Sequence, residues 1–315
     1  MSKKARGMPQ LTSFKTFPEF SKLTLEDREA YEALIKDYPP VADISFSILM
    51  LWWGTLGEAA ISRLDDNLVI SYWIPGDDKH SGLSIIGTER VDESICAIFD
   101  YLRERGERPR LVNVPDFVVN SLCYPELFSF SSGFGDDEYL IRVSKFAHLD
   151  NMPKYMRVRA RKFIREQGEV NLTVKDIDLR SFMNRQLLLD ASERWPRKGV
   201  NSMTNFGRKL LPVVVDNAVD LGVQCMGLYV EKELQAYLLY APSDDGQYLT
   251  LHCARVNYDV PRIFEYIVHA FARHAEAKGF VYANLYSDSD SPTMRIIKIA
   301  LKPDAFFRKY IIEPA

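Results

Sequence analysis

Two short polar turns, each lying between runs of apolar and β-branched residues, constrain the fold of this chain most strongly. The first covers residues 65–67 within AAISRLDDNLVISYWIP, and the second covers residues 231–233, between QCMGLYV and LQAYLLYA. Such turns between strand-forming runs predict β-hairpins. After each hairpin come another strand pattern and an amphipathic helix that ends at a glycine, Gly106 or Gly279. The same order of elements therefore occurs twice.

A repeated order of elements implies two domains. We expect an N-terminal domain over residues 1–150 and a C-terminal domain over residues 151–315, each an α/β (α+β) unit with a mixed β-sheet flanked by helices. The 315 residues, 47% of them apolar, are sufficient for two packed cores. The order of helices, meander, strand, helix and strand resembles the GNAT acyltransferase fold, present in tandem. A fold of this kind does not name a substrate.

The charge and the cysteines limit the possible partners and compartments. With 40 basic and 43 acidic residues, the net charge is −3, so a nucleic acid or an anionic membrane would have to bind a local patch. The four cysteines show no CxxC spacing, which is typical of reduced thiols in a cytoplasmic protein. We find neither a signal peptide nor an apolar run of about 20 residues, and predict no transmembrane segment.

One local patch is strongly basic: six cations occur in the twelve residues from Lys154 to Arg165. At about 100° per residue, four cations share one side of a helix and four apolar residues share the other: Lys154, Arg157, Arg161 and Arg165 against Met156, Ala160, Phe163 and Ile164. Asp150 or Asn151 can cap this helix, and Gly168 can end it. The pattern fits a solvated face, and it equally fits a site for phosphates of RNA or of a lipid headgroup.

A carboxylate and two cations follow the last strand of the second repeat. Asn284 and Asp288 come at the end of the strand pattern FVYANLYS, and Arg295 and Lys298 are one turn apart on the next predicted helix. Polar groups at the carboxyl end of a strand are common ligand groups in such sheets. The same pattern fits a carboxylate that caps a helix beside an ion pair.

The glycine-rich loop that cradles pyrophosphate in coenzyme A-dependent GNAT enzymes has no counterpart here. The second repeat offers ARVNYDVPRIF, in which Pro261 lacks an N–H, and the first offers SIIGTERVD, with Gly87 alone. The sequence therefore disfavours acetyl-CoA as the donor. No P-loop, Gly-x-Ser-x-Gly or His-Glu-x-x-His motif is found, and no metal or other cofactor is predicted. Among the histidines, His252 alone is placed where a base could lie.

Together these motifs resemble the phosphatidylglycerol lysyltransferase C-terminal domain family, over about residues 17 to 312. The family's C-terminal pattern, Asn-x-x-x-Asp, Leu-Arg-x-x-Lys, Pro and Lys-Tyr, is met by Asn284, Asp288, Met294, Arg295, Lys298, Pro303, Lys309 and Tyr310. Its N-terminal pattern is met by FPEFSKLTLEDREA and DISFSILMLWW. Its central pattern is met by Tyr139, Leu140, Lys154, Tyr155 and the basic residues up to Phe163. The usual Glu and Gly around the Asp are replaced by Tyr286, Ser287 and Asp290.

The resemblance implies transfer of an aminoacyl group from aminoacyl-tRNA to a hydroxyl or amine of a phospholipid headgroup or small molecule. Asp288 would bind the aminoacyl ammonium or assist deprotonation, and Arg295 and Lys298 would stabilise charge. Substrate-binding roles are expected for Asn284, Lys154, Arg157, Arg161, Arg165 and Tyr310. With a lipid acceptor, a cytoplasmic protein would work at the membrane surface. Two other hypotheses stay open: an acyl-CoA N-acyltransferase, and a non-catalytic module that binds RNA or anionic lipid.

Overall fold

The structure, a computed structural model, describes residues 14–76, 81–133, 135–195 and 210–315. The chain forms two compact units, the first consisting of the chain up to Asp136 together with Phe307–Ala315, and the second of Asp137–Phe306. Each unit contains a seven-stranded mixed sheet. The predicted α/β class, with two mixed sheets flanked by helices, is therefore confirmed.

The first unit is built on a sheet with the strand order β1-β2-β3-β4-β5-β14-β6. The predicted hairpin is β2–β3, with a regular antiparallel register. β4 and β5 run parallel, and the other neighbouring pairs are antiparallel. The strands are β1 (Ser21–Lys22), β2 (Glu58–Leu64), β3 (Asn67–Trp73), β4 (Gly82–Ile86), β5 (Leu111–Pro115), β6 (Phe128–Ser131) and β14 (Lys309–Pro314).

The longer helices of the first unit are α1 (Arg28–Ile35) and α2 (Val91–Glu104). α2 packs its apolar side, which includes Ile95 and Phe99, against the sheet. The fold places this core where the amphipathic pattern of α2 predicts it. Shorter helical segments are Leu25–Asp27, Ala42–Ile44, Phe46–Ile48, Leu49–Trp53, Gly54–Leu56, Asp116–Val119 and Pro125–Leu127.

The second unit has a sheet with the strand order β13-β7-β12-β11-β10-β9-β8. The second predicted hairpin is β9–β10, which turns between Val230 and Glu233. β11 and β12 run parallel. The strands are β7 (Glu138–Arg142), β8 (Leu172–Asp176), β9 (Gln224–Val230), β10 (Glu233–Pro242), β11 (Tyr248–Val256), β12 (Tyr282–Asn284) and β13 (Ala305–Phe307).

Helices cover both faces of the second sheet. On one face, α3 and α5 share a core with the sheet, in which the rings of Phe163 and Tyr266 stack with centroids 4.8 Å apart. On the other face, α4 contacts the sheet through Ser192 and the residue that follows the helix, Trp195. The helices are α3 (Lys154–Gln167), α4 (Phe182–Arg194), α5 (Ile263–Ala277) and α6 (Pro292–Ala300), with shorter segments at Val143–Ala147, Leu149–Asn151, Glu169–Asn171 and 210–216.

The two units separate in sequence between Asp136 and Asp137, whereas the sequence prediction separated residues 1–150 from residues 151–315. The difference arises from strand pairing. β7 pairs with β12 and so belongs to the second sheet, and β14, at the end of the chain, lies between β5 and β6 of the first. None of the described helices combines the length and apolarity needed to cross a bilayer.

Candidate functional site

A fully buried carboxylate, Asp288, forms the centre of a polar cluster in the second unit. Arg295, on α6, donates from Nε to Asp288 Oδ2 at 2.8 Å and from Nη2 to Oδ1 at 2.9 Å. The hydroxyl of Tyr139, on β7, donates to Oδ2 at 2.5 Å. This bidentate, charge-assisted geometry is the strong form of the Arg–carboxylate interaction, and the bond to Asp288 raises the pKa of the Arg295 guanidinium.

Lys298, one turn after Arg295, is 5% exposed and fixes the backbone that leads to Asp288. Its ammonium donates to three successive carbonyls, those of Leu285 at 2.7 Å, Tyr286 at 3.0 Å and Ser287 at 2.5 Å. The same ammonium lies 5.5 Å from the centre of the Tyr139 ring. Tyr139, Asp288, Arg295 and Lys298 are hereafter the Asp288 cluster.

Asn284, the last residue of β12, continues this network towards the sheet. It is fully buried. Its Nδ2 donates to Glu138 Oε2 at 2.6 Å, and its Oδ1 accepts from the N–H of Tyr286 at 2.9 Å. Tyr286 has a φ of 62°, which is uncommon for a bulky side chain and persists only where surrounding contacts over-determine it. Asn284 and Lys298 provide these contacts.

Next to the Asp288 cluster, the parallel strands β11 and β12 are paired over only part of their length. β11 and β12 are paired only from Tyr248↔Tyr282 to Thr250↔Asn284, although β11 continues to Val256. The chain leaves β12 at Asn284 and enters the segment that Lys298 holds. Beyond Thr250, β11 therefore has an edge that β12 does not cover, at the carboxyl end of a parallel pair. Ligand sites in open α/β sheets lie at such positions.

The structure brings Asn284, Asp288, Arg295 and Lys298 together, as the sequence predicted, and it gives them structural contacts. Both oxygens of Asp288 accept hydrogen bonds from side chains of the protein. The ammonium of Lys298 is engaged by backbone carbonyls. The arrangement thus orders the segment between β12 and α6, with Asp288 held inside it.

The basic helix α3 has the predicted orientation, since Met156, Ala160 and Phe163 are buried. We call the cations on its other side, Lys154, Arg157, Arg161 and Arg165, the basic ridge. Asp150, expected as a cap, instead binds this ridge: its carbonyl accepts from Arg157 Nη1 at 3.0 Å, and its Oδ1 from Arg161 Nη2 at 2.6 Å. In the part of the chain that the structure describes, Lys154 and Arg165 form no ion pair. Among the described residues, the ridge thus contains one cation in an ion pair, Arg161, and three without one, Lys154, Arg157 and Arg165.

Tyr310, also predicted as a site residue, lies on β14 and belongs to the first unit. Its ring packs edge to face against Phe130, with centroids 6.4 Å apart. Its neighbour Lys309 forms an ion pair with Asp43, and each side chain is 3% exposed. Sequence reasoning missed this pair, although Asp43 begins DISFS and Lys309 begins the Lys-Tyr motif.

The loops before α2 and α5 are the segments that were compared in sequence with the glycine-rich loop of coenzyme A-dependent GNAT enzymes. Before α5, the N–H of Asp259 donates to Asn257 Oδ1 at 3.1 Å, and that of Val260 donates to the Asn257 carbonyl at 3.2 Å. Before α2, Gly87 has a φ of 152°, and a Cβ there would lie 1.8 Å from Asn67 Oδ1. Gly87 is therefore required for the close approach of Asn67.

Comparison with known proteins shows what the chain is similar to. The family model described as phosphatidylglycerol lysyltransferase, C-terminal, matches residues 41–295. No curated protein matches the chain. A conserved protein of unknown function from Bacteroides thetaiotaomicron VPI-5482 has a similar structure, with a TM-score of 0.76 and 20% identity, over 94% of this chain and 99% of that chain.

Two further solved structures have similar folds. The C-terminal domain of a putative lysylphosphatidylglycerol synthetase from Agrobacterium fabrum gives a TM-score of 0.59 and 13% identity, over 91% of each chain. L-PGS from Bacillus licheniformis gives 0.57 and 16%, over 91% of this chain and 92% of that chain. At these identities the likeness is one of fold, and it agrees with the resemblance found in the sequence motifs.

Proposed function

The chain belongs to the phosphatidylglycerol lysyltransferase C-terminal family, and we propose that it transfers an aminoacyl group from aminoacyl-tRNA to a hydroxyl or amine acceptor. The observation that carries this proposal is the family match over residues 41–295, which includes Tyr139, Asp288 and Arg295 of the Asp288 cluster. The acceptor would be a phospholipid headgroup or a small molecule that bears a hydroxyl or an amine.

The loops before the helices support a donor other than acetyl-CoA. A pyrophosphate cradle needs backbone N–H groups that point at the ligand. Before α5, the N–H groups of Asp259 and Val260 are used within the loop, and Pro261 has none. An aminoacyl ester is already activated and needs no such cradle. We therefore propose aminoacyl-tRNA as a donor substrate that works without a coenzyme.

The geometry refines the roles expected for the cluster. Direct binding of an aminoacyl ammonium by Asp288 would require the substrate to displace Arg295 or Tyr139 from its oxygens. We assign Asp288 and Lys298 as positioning residues that hold the segment after β12 at the opening beside β11. Arg295, which is 33% exposed, can also present charge there. Such a rigid segment can hold an acceptor against the ester carbonyl.

The basic ridge is assigned to phosphates of the tRNA or of an anionic acceptor. Arg161 pairs with the carboxylate of Asp150, whereas Lys154, Arg157 and Arg165 present unneutralised charge among the described residues. Contacts to phosphate need charge and spacing without base readout. Asn284 and Tyr310, expected to bind substrate, are assigned structural roles, because Asn284 is fully buried and Tyr310 packs on Phe130. With a lipid acceptor, the protein would act at the membrane surface.

The test is to incubate the protein with a labelled pool of charged tRNA and to follow deacylation with and without a lipid extract. Faster loss of the ester, with label recovered in lipid or in a small molecule, supports the proposal. Retention of the label on tRNA together with micromolar binding of acetyl-CoA in isothermal titration would support the acyl-CoA alternative. Binding of tRNA without any deacylation would support a non-catalytic module.

A further inference from the structure

The exposed side of α6 is apolar. The buried side chain of this helix is a lysine, Lys298, whereas its three isoleucines, in chain order, are 69%, 37% and 46% exposed. A surface helix ordinarily buries its apolar side, and exposed apolar residues that lie together mark interaction sites. We call this side the α6 stripe, which consists of Pro292, Thr293, Ile296, Ile297, Ile299 and Ala300. The stripe indicates a surface that another molecule covers.

Contacts of the two cations of α6 fix which side is exposed. Arg295 forms a bidentate pair with a buried carboxylate, and Lys298 donates to three backbone carbonyls. An α-helix turns about 100° per residue, so Ile296 lies about 160° around the helix from Lys298. Pro292 and Ala300 lie four residues before and after Ile296 and flank it on the same side. The stripe is therefore centred on Ile296.

The distribution of charge favours a protein partner over a membrane. A helix that lies in the interface of an anionic membrane carries lysines and arginines beside its apolar side, where they meet the headgroups. In α6, Arg295 and Lys298 are bound by groups of the protein itself. The residues of the stripe carry no charge, and the groove on this side is lined by Pro292, Arg295, Ile296, Ile299 and Ala300. Such a surface is suited to the side chains of another helix.

The stripe is complementary to a second copy of itself. When two copies of α6 pack antiparallel around a two-fold axis at Ile296, each residue after this position lies beside the residue equally far before it in the other copy. Ala300 then lies beside Pro292 of the other copy. The row formed by Pro292, Ile296 and Ala300 fits the groove of the other helix, and the same holds in reverse by symmetry. Each stripe therefore covers the other.

Charges beyond the two ends of α6 agree with this arrangement. Asp290 comes six residues before Ile296, and Lys302 comes six residues after it. The antiparallel arrangement therefore brings Asp290 of each copy beside Lys302 of the other. The side chain of Asp290, which also pairs with Arg295, is 58% exposed, and Lys302 is exposed. Opposite ends of the two helix dipoles also meet, which is favourable, whereas a parallel arrangement would bring like charges together.

We propose that the protein forms a two-fold symmetric dimer through the α6 stripe, with Ile296 at the axis. This inference goes beyond the proposed function and does not depend on it. The interface has uncharged side chains at its centre and Asp290 and Lys302 at its rim, which is the usual anatomy of a protein interface. A stripe on one short helix is smaller than a standard interface, so we expect a weak dimer, with a Kd of about 1 to 100 µM.

Sedimentation velocity of the full chain, over concentrations from about 1 to 300 µM, measures the association directly. We expect the wild type to pass from monomer to dimer over this range. Ile296→Glu should weaken the dimer by at least about tenfold, because two carboxylates would meet at the axis. Val170→Glu, at a position of the same unit that is 94% exposed, is the matched control and should associate as the wild type does. A wild type that stays monomeric, or a dimer that Ile296→Glu leaves unchanged, would overturn the proposal.

Exchange of charges tests the antiparallel arrangement. Asp290→Lys or Lys302→Glu alone places like charges together at both ends of the dimer, so each variant should dimerise more weakly than the wild type. An equal mixture of the two variants restores an opposite-charge pair at each end of a heterodimer, and we expect it to associate more tightly than either variant alone. A wild-type thermal midpoint in each variant shows that the monomer is folded. A mixture that associates no better than the single variants would contradict the arrangement.

Flotation with vesicles of phosphatidylglycerol and phosphatidylethanolamine tests the other occupant of the stripe. We expect Ile296→Glu and the wild type to float to the same small extent, because the dimer covers the stripe in the wild type. A wild type that is monomeric in solution and floats with the vesicles, and that loses this binding in Ile296→Glu, would assign the stripe to a membrane and overturn the proposed dimer.

Discussion

The Asp288 cluster and strand β11 lie in the same unit, yet their buried polar atoms are in opposite states. In the cluster, both oxygens of Asp288 are bonded to Arg295 or Tyr139. On β11, both ring nitrogens of His252 and Nε of Arg255 are buried without a hydrogen-bond partner among the described residues. Paired polar atoms fix one conformation of the protein, whereas unpaired ones raise its free energy until a ligand supplies the missing partners.

Both side chains of the Lys309–Asp43 ion pair in the first unit are buried. Breaking this pair should therefore lower the free energy of unfolding the most. Lys309→Met leaves the 3%-exposed carboxylate of Asp43 without its cation. We expect a loss of about 3 to 5 kcal/mol in the free energy of unfolding, measured by urea denaturation. Arg103→Ala breaks an exposed pair with Asp100 and should cost about 1 kcal/mol or less. Equal losses in the two variants would contradict the structural role of the buried pair.

The Asp288 cluster should come next. Asp288→Ala removes three hydrogen bonds and leaves Tyr139 and Arg295 without their shared acceptor. Because Arg295 is partly exposed, we expect a loss of about 2 to 4 kcal/mol. Asp290→Ala, which removes an exposed partner of the same arginine, is the control and should cost about 1 kcal/mol or less. A wild-type thermal midpoint in Asp288→Ala would show that the cluster does not hold the fold.

The buried, unpaired imidazole of His252 predicts a stability that depends on pH. The pKa of His252 is about 4 in the folded state, below its ordinary 6.5. Between these values the unfolded chain binds more protons, so this histidine lowers stability as the pH falls from about 6.5 towards 4. We expect the stability difference between His252→Gln and the wild type to shift by about 2 kcal/mol in favour of the variant from pH 7 to pH 4.5. Asp176, whose pKa is lowered by Lys278 and His274 against the opposing effect of burial, is common to both proteins and cancels. A pH-independent difference would mean that His252 is paired or solvated.

The basic ridge is neither buried nor uniformly paired, and its loss should affect stability least. Arg157→Ala with Arg161→Ala should change the free energy of unfolding by about 1 kcal/mol or less. The same variant should weaken tRNA binding and reduce the slope of log affinity against log salt by about 2, one for each phosphate contact. Arg159, on the same helix, is paired with Glu265 of α5, so Arg159→Ala should keep the wild-type slope. An unchanged slope in the double variant would place the phosphate contacts elsewhere.

Much of the fold can be predicted from neighbouring residues. The hairpins at residues 65–67 and 231–233, the helix that ends before Gly106, and the orientation of α3 all follow from turn chemistry and periodicity. These features depend on backbone geometry within a few residues. The family motifs are also short runs of sequence, and the match over residues 41–295 confirms the family that they indicate.

The state of each buried polar group was decided by contacts distant in sequence. Tyr139 reaches Asp288 across 149 positions, and Lys309 reaches Asp43 across 266. Whether His252 faces α4 or α5 depends on one inserted residue in the β10–β11 register. The sequence determined which elements form and which polar residues they carry. Only the tertiary structure decided which polar atoms are paired, because strand register and chain reversal bring distant side chains together without a local signal.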